Sequence, residues 1–590
     1  MKKSRLGALV AVAAASALVL AGCSAGSGDS GDTIKKGSSV TAAQNSSFSS
    51  YNSNSANGNS TYNSNITYMT SGNWFYYDST PKLVLNEKFG TVEKLKDDPL
   101  TVKYTIKKGV EWSDGVQIGA ADLLMNWATG LTKYNDEKGV NFTSAAAGLT
   151  DAVSKVPEVG DGGRSITLTF DKQYVDWQLF LGFGVGPVAA HAAYTEAFPD
   201  VKGAKADDAF VKAIQDDDTA TLTKVASAWS TKFDWTDMPS DKLLYLSSGP
   251  YIVSAAKKDQ YITLTANKKY TWGPQPHLEK ITVRFIQDPT AQVQALQNGE
   301  VQVISGQATA DTVTALKALK NVTTTTTPTS TYEHIDLTMN NGGPFDPKTY
   351  GGDADKAKLV RQAFMLTIPR QQIVDNLIKP IQSDAKLVDS QVFLPGAAGY
   401  DESVANNGSS DYAKVDIDKA KQLLAQAGVK TPVNVKFMYG KSNTRRAAEY
   451  ALIAASAKQA GFNVIDAGND DWSSLLGNGS YDAVLFAWQF TSLAVLGSQA
   501  TFTSNGGSNF NGYNNATVDS DFKTLESTIG NASKQKELLA NVDKEIWGDA
   551  YGVTVFQFPD VTGFSNKVTG VKDAPLSPNV FWNFFDWKLK

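Results

Sequence analysis

Alternating apolar and polar residues predict half-buried β-strands in several parts of the chain. Leu100–Lys107 alternates in this way, and Arg164–Phe170 and Tyr261–Ala266 follow the same pattern. Successive side chains of a strand point to opposite faces, so each segment would turn one face to a core. A run of β-branched threonines at 323–327 precedes Pro328 and predicts an extended crossing segment.

Helical patterns with clear start and stop residues alternate with these strands. Ala120–Leu131 predicts one helix. Asp288 followed by a proline predicts the start of another, because Asp is a good N-cap and proline suits the first helical position. Two more helices are predicted at Asp416–Gly428 and Thr444–Gly461, each ended by a glycine. This mixture predicts a fold of the α/β class.

The start of the chain has the pattern of a secretion signal. Three basic residues precede an apolar run, Leu6–Ala21, that is shorter than the roughly 18 residues of a membrane-spanning helix. Small residues then lead to Cys23, the only cysteine of the chain. This end resembles a bacterial lipobox, which implies that residues 1–22 are a lipoprotein signal peptide and that Cys23 carries the lipid anchor.

Composition narrows the classes of function. From Ser24 to about Asn65 the chain is rich in Ser, Gly, Asn and Thr, and we expect residues 23–45 to form a flexible tether. The length of 590 residues, 42% of them hydrophobic, predicts several domains with large cores. A formal net charge of −5 gives no electrostatic reason to expect nucleic acid as a partner. With three histidines and one cysteine, we expect no disulfide, no metal site and no cofactor.

A series of seven segments carries a family resemblance. In the first, Tyr104–Trp127, a strand is followed by a turn and a helix, and the residues that fit the family pattern are Lys108, Gly109, Val110, Trp112, Ser113, Asp114, Gly115, Ala121 and Asp122. The others are Ser248–Tyr251, Asn267–Trp272, Ala295–Val303, Val360–Ala363 with Pro369-Arg370, Asp418–Gly428 and Tyr481–Ala483. Together and in this order they resemble the large solute-binding proteins of peptide-type ABC importers, solute-binding family 5.

The resemblance implies a two-lobed clamshell of the periplasmic-binding-protein type, with an extra domain inserted in the first lobe. The implied parts are a first lobe of residues 40–75, 243–328 and 553–590, an added domain of residues 76–242, and a second lobe of residues 340–552. Chain crossings near 329–340 and 553–558 would be the hinges. Ligand binding in the cleft would then close the lobes.

The resemblance also implies a set of ligand-binding residues. A strand of the second lobe would contribute Trp488, Gln489, Phe490 and Thr491. The first lobe would contribute Tyr62 and Asn63. In peptide-binding members an Asp three residues after this Trp pairs with the amino group of the peptide, but Thr491 holds that position here. Because a buried ammonium needs a countercharge, we expect weak discrimination between free and N-acetylated peptides, or a ligand without an ammonium.

The sequence therefore predicts a lipoprotein on the outer face of the cytoplasmic membrane that captures a small ligand, foremost a peptide. We expect a monomer without catalytic residues, which delivers its ligand to the permease subunits of an ABC importer. Three alternatives stay open: a secreted two-lobed hydrolase of the glycosidase kind, the same fold bound to an oligosaccharide or another non-peptide solute, and a lipoprotein adhesin or signalling receptor. The scarcity of histidine and the missing nucleophile–base set weigh against the hydrolase, although a pair of carboxylates would serve a glycosidase.

Overall fold

Strands and helices alternate through residues 34–590, which the computed structural model describes with the exceptions of residues 138, 307 and 491. The strands, in chain order, are β1 (Lys35–Gln44), β2 (Phe75–Tyr77), β3 (Leu83–Leu85), β4 (Gly90–Asp97), β5 (Leu100–Ile106), β6 (Glu158–Gly160), β7 (Ser165–Thr169), β8 (Tyr251–Lys257), β9 (Tyr261–Ala266), β10 (Leu278–Phe285), β11 (Val303–Gly306), β12 (Val322–Leu337), β13 (Val433–Tyr439), β14 (Phe462–Asp466), β15 (Ala483–Gln489), β16 (Gly552–Ser565), β17 (Val568–Thr569) and β18 (Lys588–Leu589). The helices are α1 (Thr61–Thr70), α2 (Ala120–Gly130), α3 (Ala190–Ala197), α4 (Ala204–Gln215), α5 (Thr219–Thr231), α6 (Pro289–Gln297), α7 (Ala310–Lys317), α8 (Ala354–Met365), α9 (Arg370–Ile373), α10 (Tyr400–Val404), α11 (Ile417–Gln426), α12 (Thr444–Ala460), α13 (Gln499–Phe502), α14 (Ala516–Ser527) and α15 (Ala532–Gly548).

Two long strands join the two halves of a ten-stranded sheet. The strand order is β14-β13-β15-β12-β16-β11-β1-β10-β9-β8, so β12 and β16 lie side by side in its interior. The second part of β12 pairs with β15, whereas the last part of β16 pairs with β11. These two strands therefore run from one half of the molecule into the other.

The pairing of β12 with β16 is interrupted halfway along. Pro328 lies opposite Pro559, and the register shifts between Pro328 and Tyr332. Proline has no backbone N–H, so neither residue of this pair donates to the ladder. The break lies beside the crossings that the resemblance implied as hinges, at 329–340 and 553–558.

Separate apolar cores give the molecule its two lobes. One core is built from residues between 40 and 303 together with residues 568–587, and another from residues between 335 and 558. A second sheet, β4-β5-β7-β6, belongs to the first core and lies within residues 76–242, the expected added domain. None of the helices in the described part of the chain has the length and apolar character that crossing a membrane requires.

The local signals that predicted elements are confirmed. The alternating segments form β5, β7 and β9, and the helix predicted at Ala120–Leu131 is α2. At the start of α6 the Asp288 carboxylate accepts hydrogen bonds from the N–H groups of Thr290 and Ala291. At the end of α12 Gly461 adopts a φ of 96°, which a residue with a side chain rarely takes.

The predicted tether is too long. Residues 35–44 form β1, which pairs in parallel with both β10 and β11 inside the large sheet. Val40, Ala42 and Ala43 of this strand are buried. The polar composition is misleading here, because small side chains fit an interior strand whose burial comes from distant neighbours. The part of the predicted tether before residue 34, with Cys23, lies outside the described residues.

Candidate ligand-binding cleft

A cavity of about 170 Å³ lies at the point where the crossing strands interrupt their pairing. It is bounded by the ends of β1 and β11, the first turn of α1, the middle of β12 and β16, the end of β15 and a segment near the C-terminus. Its lining residues are Ala43, Gln44, Asn45, Thr61, Tyr62, Asn65, Ser305, Gly306, Thr329, Thr331, Gln489, Phe558, Pro559, Asp560, Pro578, Asn579, Val580 and Phe581. The cavity thus takes residues from both lobes.

Two of the residues expected from the sequence line this cavity. Gln489 is the last residue of β15 and is paired with Thr331 of β12. Tyr62 lies in the first turn of α1, where the Ser60 hydroxyl accepts a hydrogen bond from its N–H group. Burial raises the pKa of the Tyr62 phenol, and a hydrogen bond with the Asn45 side chain opposes that shift. Tyr62 therefore stays neutral and offers a polar hydroxyl beside an apolar ring.

Asn63 lines neither this cavity nor the one described below. Its side chain is 0% exposed. Its Oδ1 accepts from the N–H group of Ser49, and its Nδ2 donates to the carbonyl of Gly58 and the hydroxyl of Ser49. These bonds fix the loop before α1 and leave the amide no capacity for a ligand. Asn65, half a turn further along α1, lines the cavity instead.

Trp488 and Phe490 are held by aromatic packing next to the cavity. The Trp488 indole stacks on Phe510 with 6.0 Å between ring centroids and lies nearly parallel to the imidazole of His334 at 6.2 Å. Phe490 stacks on Tyr332 at 5.6 Å. Neither residue lines the cavity, and their contact with ligand stays a prediction. Thr491, the residue on which the expectation about the amino group depends, lies outside the described residues.

Asp560 is a cavity residue that the sequence reasoning missed. It lies on β16 opposite Thr327 of β12 and is 7% exposed. Its Oδ2 accepts a hydrogen bond of 2.9 Å from the Ser305 hydroxyl. Burial and the nearby Asp573 carboxylate raise the pKa of Asp560 to about 6, which the Ser305 hydroxyl and the N–H groups of Gly306 and Val561 partly offset. An acidic residue inside an apolar strand is the signal that could have found it.

A second cavity, of about 610 Å³, lies on the other side of α1. It is bounded by α1, the strand β2, the end of α2 and the segment 179–187, and it shares Pro578 with the first cavity. Asn, Ser, Thr, Tyr and apolar residues line it, and no charged residue is among them. This space suits neutral groups that combine hydrogen bonding with apolar contact.

Three hydrogen bonds join the expected added domain to the expected second lobe. The two carboxylate oxygens of Asp176 accept hydrogen bonds of 2.9 Å each from the N–H groups of Val495 and Leu496. The Tyr77 hydroxyl accepts another, of 3.0 Å, from the N–H group of Leu493. Burial raises the pKa of Asp176, and the two N–H groups oppose that shift. These three hydrogen bonds tie the segment 493–496 to the expected added domain.

Known sequences are similar to this chain along most of its length. The family model described as bacterial extracellular solute-binding proteins, family 5, matches residues 80–510. An uncharacterized lipoprotein of Mycobacterium tuberculosis is 24% identical over 588 residues, which covers 97% of this chain and 95% of the relative. The oligopeptide-binding protein OppA of Mycobacterium bovis is 25% identical over 487 residues, covering 80% of this chain and 71% of the relative.

Solved structures share the fold. The periplasmic EDTA-binding protein EppA superposes with a TM-score of 0.79 at 22% identity, covering 95% of this chain and 97% of that protein. The oligopeptide-binding protein AppA of Bacillus subtilis, in complex with a nonapeptide, superposes with a TM-score of 0.70 at 18% identity, covering 94% and 99%. Both the two-lobed fold and the match over residues 80–510 lead to one conclusion. This chain belongs to family 5 of the bacterial extracellular solute-binding proteins.

Proposed function

We propose that the protein binds a peptide in the cleft and passes it to an ABC importer. The observation that carries the proposal is the position of the first cavity, which takes residues from both lobes and includes Gln489 at the end of β15. An extended peptide next to a strand end is held mainly by backbone hydrogen bonds, as in strand addition. Relatives named for oligopeptide binding support the same ligand class.

Closure of the lobes on the ligand is the second part of the proposal. The bonds of Asp176 and Tyr77 to the segment 493–496 form only when the added domain and the second lobe are close together. A ligand that favours this arrangement shifts the population toward it. The closed form then presents one surface to the permease subunits.

The ligand class is tested by native mass spectrometry of the purified protein. We expect the protein to carry peptides, to release them on denaturation, and to take up intact members of a synthetic pentapeptide pool. Unchanged peptides after long incubation support a binding protein rather than a hydrolase. Capture of an oligosaccharide or a metal chelate, with no peptide bound, would contradict the peptide proposal and leave solute binding in place.

The anchor is tested separately at Cys23. If Cys23 carries the lipid, Cys23→Ala abolishes incorporation of labelled palmitate and prevents cleavage before residue 23. The neighbouring variant Ser24→Ala is the matched control and keeps both. A labelled Cys23→Ala protein would show that the lipid is attached elsewhere or that another residue begins the mature chain.

A further inference from the structure

The first cavity contains a single charged residue. Among its lining residues Asp560 alone is ionisable near neutral pH, and no Lys, Arg or His accompanies it. The half-buried Arg445 and the buried Arg446 of α12 already pair with Glu333 of β12. The charge that the cavity offers to a ligand is therefore negative or neutral, never positive.

The carboxylate of Asp560 is incompletely satisfied. Its Oδ2 accepts a hydrogen bond from the Ser305 hydroxyl. The N–H groups of Gly306 and Val561 lie close enough to lower its pKa, but among the described residues no hydrogen bond of normal geometry reaches its buried Oδ1. By contrast, both carboxylate oxygens of Asp573, whose charge acts on Asp560, accept hydrogen bonds. The donors are the hydroxyls of Thr325, Thr327 and Thr562. A buried acceptor without a partner is costly, which makes this oxygen a place for a donor that arrives with the ligand.

The surroundings of Asp560 suit a cation. The rings of Tyr62, Phe558 and Phe581 line the same cavity, and aromatic faces attract ammonium groups. The adjoining larger cavity, which shares Pro578 with this one, has no charged lining residue that could compete for the cation. A ligand with one ammonium at the Asp560 end and a neutral body would match both cavities.

We infer that Asp560 is the countercharge for an ammonium group of the bound ligand. The inference rests on the proposed function for the identity of the ligand as a peptide. The ammonium is then the free amino terminus or a lysine side chain. If the ammonium is the free amino terminus, Asp560 takes over, from a different strand, the pairing for which Thr491 is unsuited, and the expected indifference to N-acetylation is wrong.

The test uses four peptides and three proteins in titration calorimetry. The peptides are pentaalanine, N-acetyl-pentaalanine, an N-acetylated pentapeptide with one lysine among alanines, and the same peptide with norleucine for lysine. The proteins are the wild type, Asp560→Asn and Asp573→Asn, which is the matched control because Asp573 lies beside Asp560 but does not line the cavity.

We expect the wild type to bind one cationic peptide at least tenfold more tightly than its neutral counterpart. The pair that shows the difference identifies the source of the ammonium. Asp560→Asn should reduce the preference to less than threefold, and Asp573→Asn should keep it. A preference that survives in Asp560→Asn, or that is missing in the wild type, would overturn the inference.

A second measurement covers the case in which none of the peptides binds, which would count against the proposed function alone. Cadaverine and pentane-1,5-diol have the same length and differ in charge. At equal millimolar concentration cadaverine should raise the Tm of the wild type more than the diol does, and Asp560→Asn should remove that difference. Equal effects of the two compounds on the wild type would overturn the role of Asp560.

Discussion

Ionisation of the buried Asp560 carboxyl lowers the stability of the ligand-free protein. A carboxylate with a pKa raised to about 6 favours its protonated form in the folded state, whereas the unfolded chain holds it near the ordinary value. The stability that protonation provides is present at pH 4 and is lost as the pH rises through about 6. Above that pH the folded protein holds a buried negative charge that an incoming ammonium neutralises.

The first prediction concerns the pH dependence of stability. Asp560→Asn removes the ionisable group, so its free energy of unfolding should exceed that of the wild type by up to about 3 kcal/mol at pH 8, where the wild type ionises a buried carboxyl whose pKa is raised to about 6. At pH 4 the two proteins should be nearly equal. Urea unfolding of both proteins at the two pH values measures the difference.

The control variant Asp573→Asn should change the free energy of unfolding in the opposite direction. Asp573→Asn loses acceptor capacity toward three threonine hydroxyls, and we expect it to lower the free energy of unfolding by roughly 1–3 kcal/mol at both pH values. A structural role for Asp560 would also make Asp560→Asn less stable than the wild type at pH 8. That outcome would contradict the account of Asp560 as a carboxylate kept for the ligand.

At the scale of elements, the proposal gives the hydrogen bonds of the segment 493–496 the role of holding the lobes closed on the ligand. Asp176 uses one oxygen for each of two N–H groups, so Asp176→Asn keeps one acceptor and turns an N–H₂ group toward the other donor. We expect roughly 1–2 kcal/mol less stability of the closed form, which is about a five- to thirty-fold weaker affinity for peptide. Titration calorimetry and the ligand dissociation rate check this.

Asp171→Asn is the matched control for Asp176→Asn. Asp171 belongs to the same expected added domain, and its Oδ2 accepts a hydrogen bond from the N–H group of Ser154 rather than from the segment 493–496. Asp171→Asn should leave the affinity for peptide and the rate of peptide dissociation unchanged. If Asp176→Asn binds peptide as the wild type does, the contacts of 493–496 play no part in retaining ligand.

Elements with local signals were predictable, and those that depend on distant partners were not. The caps at Asp288, Asp416 and Asn443 are side-chain bonds to N–H groups within three residues, so the sequence alone specifies them. The strand at 35–44 pairs with residues more than 240 positions away, and nothing in its polar composition marks it. Such pairing depends on the whole sheet, so the local sequence of one strand does not predict it.

The same distinction applies to the candidate site. Gln489 and Tyr62 could be predicted because a family resemblance locates a strand end and a helix start. Asn63 could not be told from Asn65, because the two residues lie half a turn apart on one helix and the sequence alone does not say which of the two faces is turned to the cleft. Asp560 escaped attention because its role depends on β11, β12 and a C-terminal segment that meet only in the folded molecule.

At the scale of the whole molecule, the two crossing strands β12 and β16 pass the cleft cavity where their pairing is interrupted. The pair of prolines at 328 and 559 removes donors from the ladder where the lobes meet. The first cavity lies at this same break and includes Pro559 in its lining. A ligand bound there would contact both lobes and the strands between them, so we expect binding and lobe position to be coupled.

The central claim, that peptide binds in the cleft cavity, is tested most directly by blocking it. Thr61 is an exposed residue that begins α1 and lines the cavity of about 170 Å³, so Thr61→Trp fills the space without disturbing a core. Thr219→Trp is the matched control, since Thr219 is an exposed threonine that begins α5 away from both cavities. Titration calorimetry with pentaalanine should show at least thirty-fold weaker binding to Thr61→Trp and unchanged binding to Thr219→Trp. Equal affinity of the wild type and Thr61→Trp for the peptide would contradict the account, because the ligand would then bind outside this cavity.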